Sequence, residues 1–158
     1  MDGVEVRPFR EADVDWAEGL IDEGFGGRLQ ARRGSLVDVL DCRGFVAECA
    51  GDRVGLLTYD TSEHEAEIVY IEAVKQFCGV GTTLLLTFLA TVSAPRIWLV
   101  TTNDNIDALR FYQRRGFVIA DLHVGAVTEA RRLLKPQISE TGCFGIPIRD
   151  EIELEYRR

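Results

Sequence analysis

Between an apolar run, Ile68 to Val74, and a helix-like run, Thr82 to Val92, the chain reads Gln76-Phe77-Cys78-Gly79-Val80-Gly81-Thr82-Thr83. Pro95 breaks the helical pattern, and Ile97 to Thr101 is apolar again. Strand, helix and strand in that order dictate a βαβ unit: two parallel strands joined by a right-handed crossover. The corner where the first of these strands turns into the helix carries two glycines two positions apart. The first four N–H groups of a helix have no internal partner, and the aligned peptide dipoles add about half a positive charge there. A corner of this kind is a seat for a phosphate group.

The flanking segments build a mixed α/β (α+β mixed) fold around that unit. Val4 to Pro8 alternates as a short strand, and Arg10 to Glu23 is predicted helical, with Val14, Ala17, Leu20 and Ile21 on one face. A glycine-rich break follows at Gly24 to Gly27, then a second helical stretch from Leu29 to Leu40, with Arg28, Arg32 and Arg33 clustered about its start. Phe45 to Cys49 and Val54 to Tyr59 read as a hairpin around Ala50 to Arg53. After a polar turn from Asp60 to Glu65, the strand Ala66 to Val74 completes an antiparallel meander. Beyond the βαβ unit, Asn103 and Asp104 are the expected caps of a helix reaching about Arg115, and Gly116 ends it. Phe117 to His123 is a strand, Gly125 to Leu134 a basic helix stopped by Pro136, and Ile146 to Tyr156 closes the chain. The expectation is a single domain over residues 1–158 with a mixed sheet of about seven strands.

Composition narrows the function. A net charge of -8 argues against a nucleic-acid binder and against docking on anionic membranes, while its field favours a cationic small substrate. Cys42, Cys49, Cys78 and Cys143 form no C-x-x-C pair and have no histidine cluster nearby, which weighs against a metal site and a disulfide scaffold. Cys78 is expected to be packed. No apolar run is long enough to span a bilayer, and Met1 to Glu5 lacks a signal core, so the expected location is cytoplasmic.

Three phosphate-binding patterns compete for the glycine corner. A dinucleotide fingerprint needs a third glycine where Leu84 stands, and a P-loop needs a Gly-Lys-Ser/Thr ending that is missing. Gln76-x-x-Gly79-x-Gly81 resembles the coenzyme A pyrophosphate loop of the GNAT N-acetyltransferase superfamily. Asn105-Ile-Asp-Ala108-Leu-Arg-Phe111-Tyr112, followed by Gly116-Phe117, is similar to that family's other signature, in the right order and separation. Phe77 and Cys78 depart from it, standing where glycine and a basic residue are frequent. The resemblance implies a GNAT-like fold, with parallel fourth and fifth strands (Ile68 to Val74 and Ile97 to Thr101) that splay apart and helices on both faces. It also implies acetyl-CoA as cosubstrate, with no metal.

By the same resemblance, acetyl passes from acetyl-CoA directly to a primary amine of a small molecule. The alternatives are a protein or peptide acceptor, or a CoA-binding module without turnover. Ala73 and Val74 are expected to pair with the pantetheine arm, the Val74 N–H to donate to the oxyanion, and Asn105 to hold the arm from its other side. Gln76, Phe77, Cys78, Gly79, Val80, Gly81, Thr82 and Thr83 are expected around the pyrophosphate, and the small Ala108 to admit the arm beside Tyr112. Tyr112 is the expected general acid for the leaving thiolate. Glu72, a carboxylate in an otherwise apolar strand, is the expected base; Glu67 is a weaker substitute. Glu63, His64 and Glu65 read as a solvated turn, and His123 as a lone surface histidine. The acceptor pocket is expected from the first two helices, the turn after Tyr59 and the end of the sixth strand, with Asp22, Glu23, Glu63, Glu65 and Glu67 suited to a cation and Arg28, Arg32 and Arg33 to an anion. The last strand, Glu151 to Tyr156, is free to pair within the sheet or across a homodimer.

Overall fold

Short runs of alternating and β-branched residues set the strands. The computed structural model describes residues 3–23 and 26–157, so the Gly24 end of the expected glycine-rich break lies outside the described residues. In chain order the elements are β1 (Val4–Pro8), α1 (Val14–Glu23), β2 (Leu29–Arg32), β3 (Ser35–Asp38), β4 (Arg43–Cys49), β5 (Asp52–Thr61) and β6 (Glu65–Ala73). There follow α2 (Val80–Thr91), β7 (Arg96–Thr102), α3 (Ile106–Gln113), β8 (Val118–His123), α4 (Ala126–Leu133) and β9 (Glu151–Arg157). They fall into two compact units, Met1–Leu29 with Asp38–Ala94, and Gln30–Val37 with Pro95–Arg158. No helix among the described residues is long and apolar enough to cross a membrane.

In the first unit, β1, β4, β5 and β6 run antiparallel in that order. The β4–β5 turn is Ala50-Gly51, with φ of 51° and 85°. Two successive left-handed residues make the primed turn whose twist matches that of the strands it joins. Helix α2 lies on one face of this sheet, close enough that a Cβ on Gly55 would meet Val80 Cγ1 at 2.6 Å and Leu84 Cδ1 at 3.0 Å. Leu84, Leu85 and Phe88 are buried there, and Tyr59 packs between Phe45 and Phe88.

A buried carboxylate fastens the start of this unit. Asp13 is 1% exposed and accepts from both terminal nitrogens of Arg7 (2.8 and 2.9 Å), from Arg53 Nε (2.8 Å) and from the Arg10 amide (2.8 Å). The Arg7 hydrogen bonds hold its carboxyl far below the usual carboxylate range, against the opposing effect of burial. Asp13→Ala is expected to cost about 3 kcal/mol, because it takes the shared buried carboxylate from Arg53 and leaves Arg7 with Glu48 as its remaining carboxylate. A folded pKa below the unfolded value of about 3.9 means this contribution is complete above that pH and fades as pH falls further. Urea unfolding should therefore show a gap between wild type and variant that is constant near neutrality and closes below about pH 4. A gap unchanged in acid would refute the assignment.

In the second unit, β7, β9 and β8 form an antiparallel set with β9 in the middle. The helix expected over Leu29 to Leu40 is instead the hairpin β2–β3. Its turn is Arg33-Gly34, with φ of 47° and 81°, another primed turn. Tertiary partners decide the matter: the Arg33 amide donates to Glu151 (3.1 Å), and its guanidinium pairs with Glu153 (3.2 Å) and lies over the Trp98 ring. The glutamates of β9 are not a solvated face, since Arg96 reaches both Glu153 (2.7 Å) and Glu155 (2.8 Å), and His123 lies 3.4 Å from Glu153. The cap of α3 also differs from expectation, being Asn105. Asn103 instead ties down the approach to β9, accepting from the Arg149 and Asp150 amides (2.9 Å each) and donating to Pro147 O (2.9 Å). Asp104 is buried, accepting from the Thr102 hydroxyl and the Cys143 amide.

Candidate active site

The sequence-predicted residues divide between the two units, and each set has its own geometry. In the first unit they lie along the end of β6, the connecting loop and the start of α2. Leu56 pairs with Glu72 and Gly55 with Ala73, and the Val74 amide donates to Val54 O at 2.9 Å. In an antiparallel pair, alternate residues turn their backbone groups toward the partner strand and away from it. Val74 therefore spends its N–H on β5, and the expectation that it serves an oxyanion is corrected. Ala73, one position earlier, directs its N–H away from β5.

The loop between β6 and α2 bends at two left-handed residues, Phe77 and Gly79. Phe77 has φ of 60°, a left-handed conformation that glycine adopts at less cost, and its ring is 78% exposed. Gly79, at φ 78°, is the N-cap of α2, so no side chain covers the first-turn amides from that position. Gly81, in the first turn of α2, has no positive φ, so its backbone does not require glycine. The Thr83 hydroxyl donates back to Gly79 O (3.2 Å), so it braces the corner. Cys78 is exposed rather than packed, in the loop between β6 and α2. Lys75, also exposed, is a cation of the same loop, one position before the Gln76-x-x-Gly79-x-Gly81 motif.

Gln76 does something the motif did not foretell: its side chain is hydrogen-bonded to Glu72. Glu72 is half-buried, and burial raises its pKa above the ordinary carboxyl value while Gln76 pulls it down. A carboxylate with a raised pKa takes up a proton more readily near neutral pH, as a general base must. Tyr70, two residues earlier on the same strand face, has its ionisation pushed up by burial and by the Glu72 charge. The period of two was the signal for Tyr70 in the sequence. Glu63 and His64 are exposed, as expected of a turn.

In the second unit, Asn105 accepts from the Ala108 amide at 3.1 Å, which satisfies a helix-start donor and leaves its NH₂ as the donor side of the amide. It stands just before the helix rather than within it. Tyr112, at the far end of α3, is only 4% exposed and meets Phe111 and Phe117 edge-on, at 5.1 and 5.2 Å between ring centroids. Burial raises its pKa and the Arg32 charge opposes that rise. Arg32 is itself buried, not a solvated cation, while Arg28 is taken up by Asp38 and Glu18.

An acetyltransferase (GNAT) domain family matches residues 41–119, which hold the glycine corner and the Asn105–Tyr112 helix. The chain belongs to the GNAT family. Protein YdhI of Bacillus subtilis is 41% identical over 106 residues, 65% of this chain and 66% of that protein, so the matched region spans slightly under two thirds of the relative. Among solved structures, this GNAT chain is similar to a GNAT acetyltransferase of Elizabethkingia anophelis with acetyl-CoA bound, at 18% identity, a TM-score of 0.74 and full coverage of both chains. It is also similar to the ribosomal-protein-S18-alanine N-acetyltransferase of Escherichia coli, at 15% identity and TM-score 0.70 over 98% of this chain and 93% of that one. These likenesses show the fold: the mixed α/β architecture with a seven-stranded mixed sheet expected from the sequence, to which the β2–β3 hairpin is added.

Proposed function

We propose that this GNAT chain is a cytoplasmic, acetyl-CoA-dependent N-acetyltransferase that transfers acetyl to the primary amine of a small molecule by direct attack. The observation that carries the reading is Glu72, a half-buried carboxylate with a raised pKa, tied through Gln76 to the loop that would seat the cofactor phosphates. An alkylamine of pKa about 10.4 is almost wholly protonated at pH 7, and freeing its lone pair costs roughly 4 to 5 kcal/mol. Glu72 receives that proton. Bound acetyl-CoA supplies the acetyl group as an activated thioester.

The Gly79–Gly81 corner suits a pyrophosphate because the N-cap Gly79 places no side chain over the first turn of α2, and Lys75 in the same loop adds a positive charge. Ala73, in place of Val74, offers an N–H for the oxygen that gains charge during attack. The Asn105 NH₂ is the donor assigned to the pantetheine arm. Tyr112 remains a neutral donor throughout the working pH range and hydrogen-bonds the departing sulfur, whose own conjugate acid has a pKa of about 8.5. Tyr112→Phe is expected to lower kcat by roughly a hundredfold while leaving acetyl-CoA affinity within about twofold. Equal losses in both would make Tyr112 a packing residue.

The test of the whole reading pairs thermal shifts with coenzyme A and thiol release from acetyl-CoA over panels of amines and peptides. A CoA shift with turnover on small amines supports it. Turnover on peptides alone would move the acceptor to a protein, as the name of the ribosomal-protein-S18-alanine N-acetyltransferase of Escherichia coli gives for that neighbour. A shift without any turnover would indicate a CoA-binding module, and no shift would sink the cofactor assignment.

A further inference from the structure

The face of β5 and β6 turned away from α2 holds two buried hydroxyls with no hydrogen-bond partner among the described residues. Gly55 faces α2, so by alternation Val54, Leu56 and Thr58 of β5, with Tyr70 and Glu72 of β6, share the opposite face. Thr58 stands directly across from Tyr70, and Leu56 across from Glu72. Thr58 is fully buried, and both the Thr58 Oγ1 and Tyr70 Oη atoms are buried without a hydrogen-bond partner. Leaving a buried hydroxyl unmade is costly, and two across one strand pair, beside a half-buried carboxylate, mark a place where a partner arrives from outside the chain.

We propose that Tyr70 binds the acceptor: its hydroxyl meets a neutral oxygen on the amine that Glu72 deprotonates, so the acceptor is a hydroxylated amine rather than an amino acid. The inference rests on the acetyl-transfer reading above and names the acceptor class of that same site. Three features of the face support it. Glu72 is anionic when acting as base and attracts an ammonium. Val54, Leu56, Thr58, Tyr70 and Glu72 include no cation, and Arg7, which register places on this face two strands from Leu56, is already paired with Asp13 and Glu48, so a carboxylate on the acceptor would meet the Glu72 charge first. A phenol donates one hydrogen bond and accepts others, which suits a hydroxyl oxygen. Glu72 is half-exposed, giving a ligand its way in to the more shielded Tyr70 hydroxyl.

The experiment compares near-isosteric acceptors, 3-aminopropan-1-ol against n-butylamine and longer pairs built the same way, with 4-aminobutyrate as the acidic arm. Thiol release from acetyl-CoA is measured for wild type and Tyr70→Phe, beside melting temperature and CoA affinity. Wild type should favour each hydroxylated amine over its partner by roughly tenfold in kcat/KM, and turn over 4-aminobutyrate more slowly still. Tyr70→Phe should erase the preference through KM, with CoA affinity unchanged. Its melting temperature should stay level or rise, because the lost hydroxyl made no internal bond. Equal rates on the paired amines in wild type, or a preference that survives in Tyr70→Phe, would overturn the inference. Turnover restricted to the acidic amine would overturn it as well. Absence of turnover on every amine, with a CoA shift intact, would instead remove the acetyl-transfer reading beneath it. The wild-type comparison stands even if the variant fails to fold.

Discussion

Gly81→Asp is expected to weaken coenzyme A binding by about a hundredfold or more without destabilising the protein itself. Gly81 lies in the first turn of α2, beside amides that the N-cap Gly79 leaves uncovered. Its backbone is not left-handed, so a side chain there meets no conformational penalty. An aspartate would even suit the apo helix, since a carboxylate complements the positive end of the dipole and glycine is a poor helix former. The same carboxylate would occupy the anion seat. Two like charges about 4 Å apart repel by on the order of 4 kcal/mol at an effective dielectric of about 20, enough for that loss of affinity. The readouts are the CoA-induced thermal shift and calorimetric affinity, against the apo melting temperature. A variant that binds CoA normally would show that the phosphates lie elsewhere; one that melts early would show Gly81 to be a packing residue.

Glu72→Gln separates chemistry from stability in the opposite sense. Burial raises the carboxyl pKa, so the folded protein holds that proton more tightly than the unfolded chain does. The stabilising contribution is complete below the ordinary carboxyl value and is lost as pH rises through the raised folded value. At neutral pH the ionised Glu72 thus works against the fold, and glutamine removes that effect while keeping the shape. The expected result is kcat down by 10²- to 10³-fold, CoA affinity unchanged, and a melting temperature that gains on wild type between pH 4 and pH 8. A fall in melting temperature at pH 8 would show Glu72 to be a structural anchor. An unchanged kcat would place the base on another group or a water chain.

The misplaced helix and the misplaced cap share one cause, the reach of side chains across long separations. Leu29 to Leu40 carries enough helix formers to suggest a helix, and only Arg33-Gly34 hinted at a turn. What makes it a hairpin is Arg33 meeting Glu151, Glu153 and Trp98, partners more than sixty positions away. Asn103, Asp104 and Asn105 are equally good caps by residue type. The choice fell to Asn105 because Asn103 and Asp104 are engaged by the segment from Gly142 to Asp150. The glutamates of β9, which alternate with Ile152, Leu154 and Tyr156, are paired by Arg96 and Arg33 from other strands.

The βαβ order, the glycine corner and the Asn105–Tyr112 helix were legible in the residues alone, because each rests on local geometry: a turn that needs glycine, a helix start, a spacing along one helix. They determined the family. Which amide of β6 faces away from its neighbour, whether Gln76 reaches the phosphate seat or Glu72, and that Tyr70 and Thr58 confront each other with unmet hydroxyls were decided by the tertiary structure. Strand register has a period of two, so a shift of one residue exchanges the roles of Ala73 and Val74, and only the pairing with β5 sets that register.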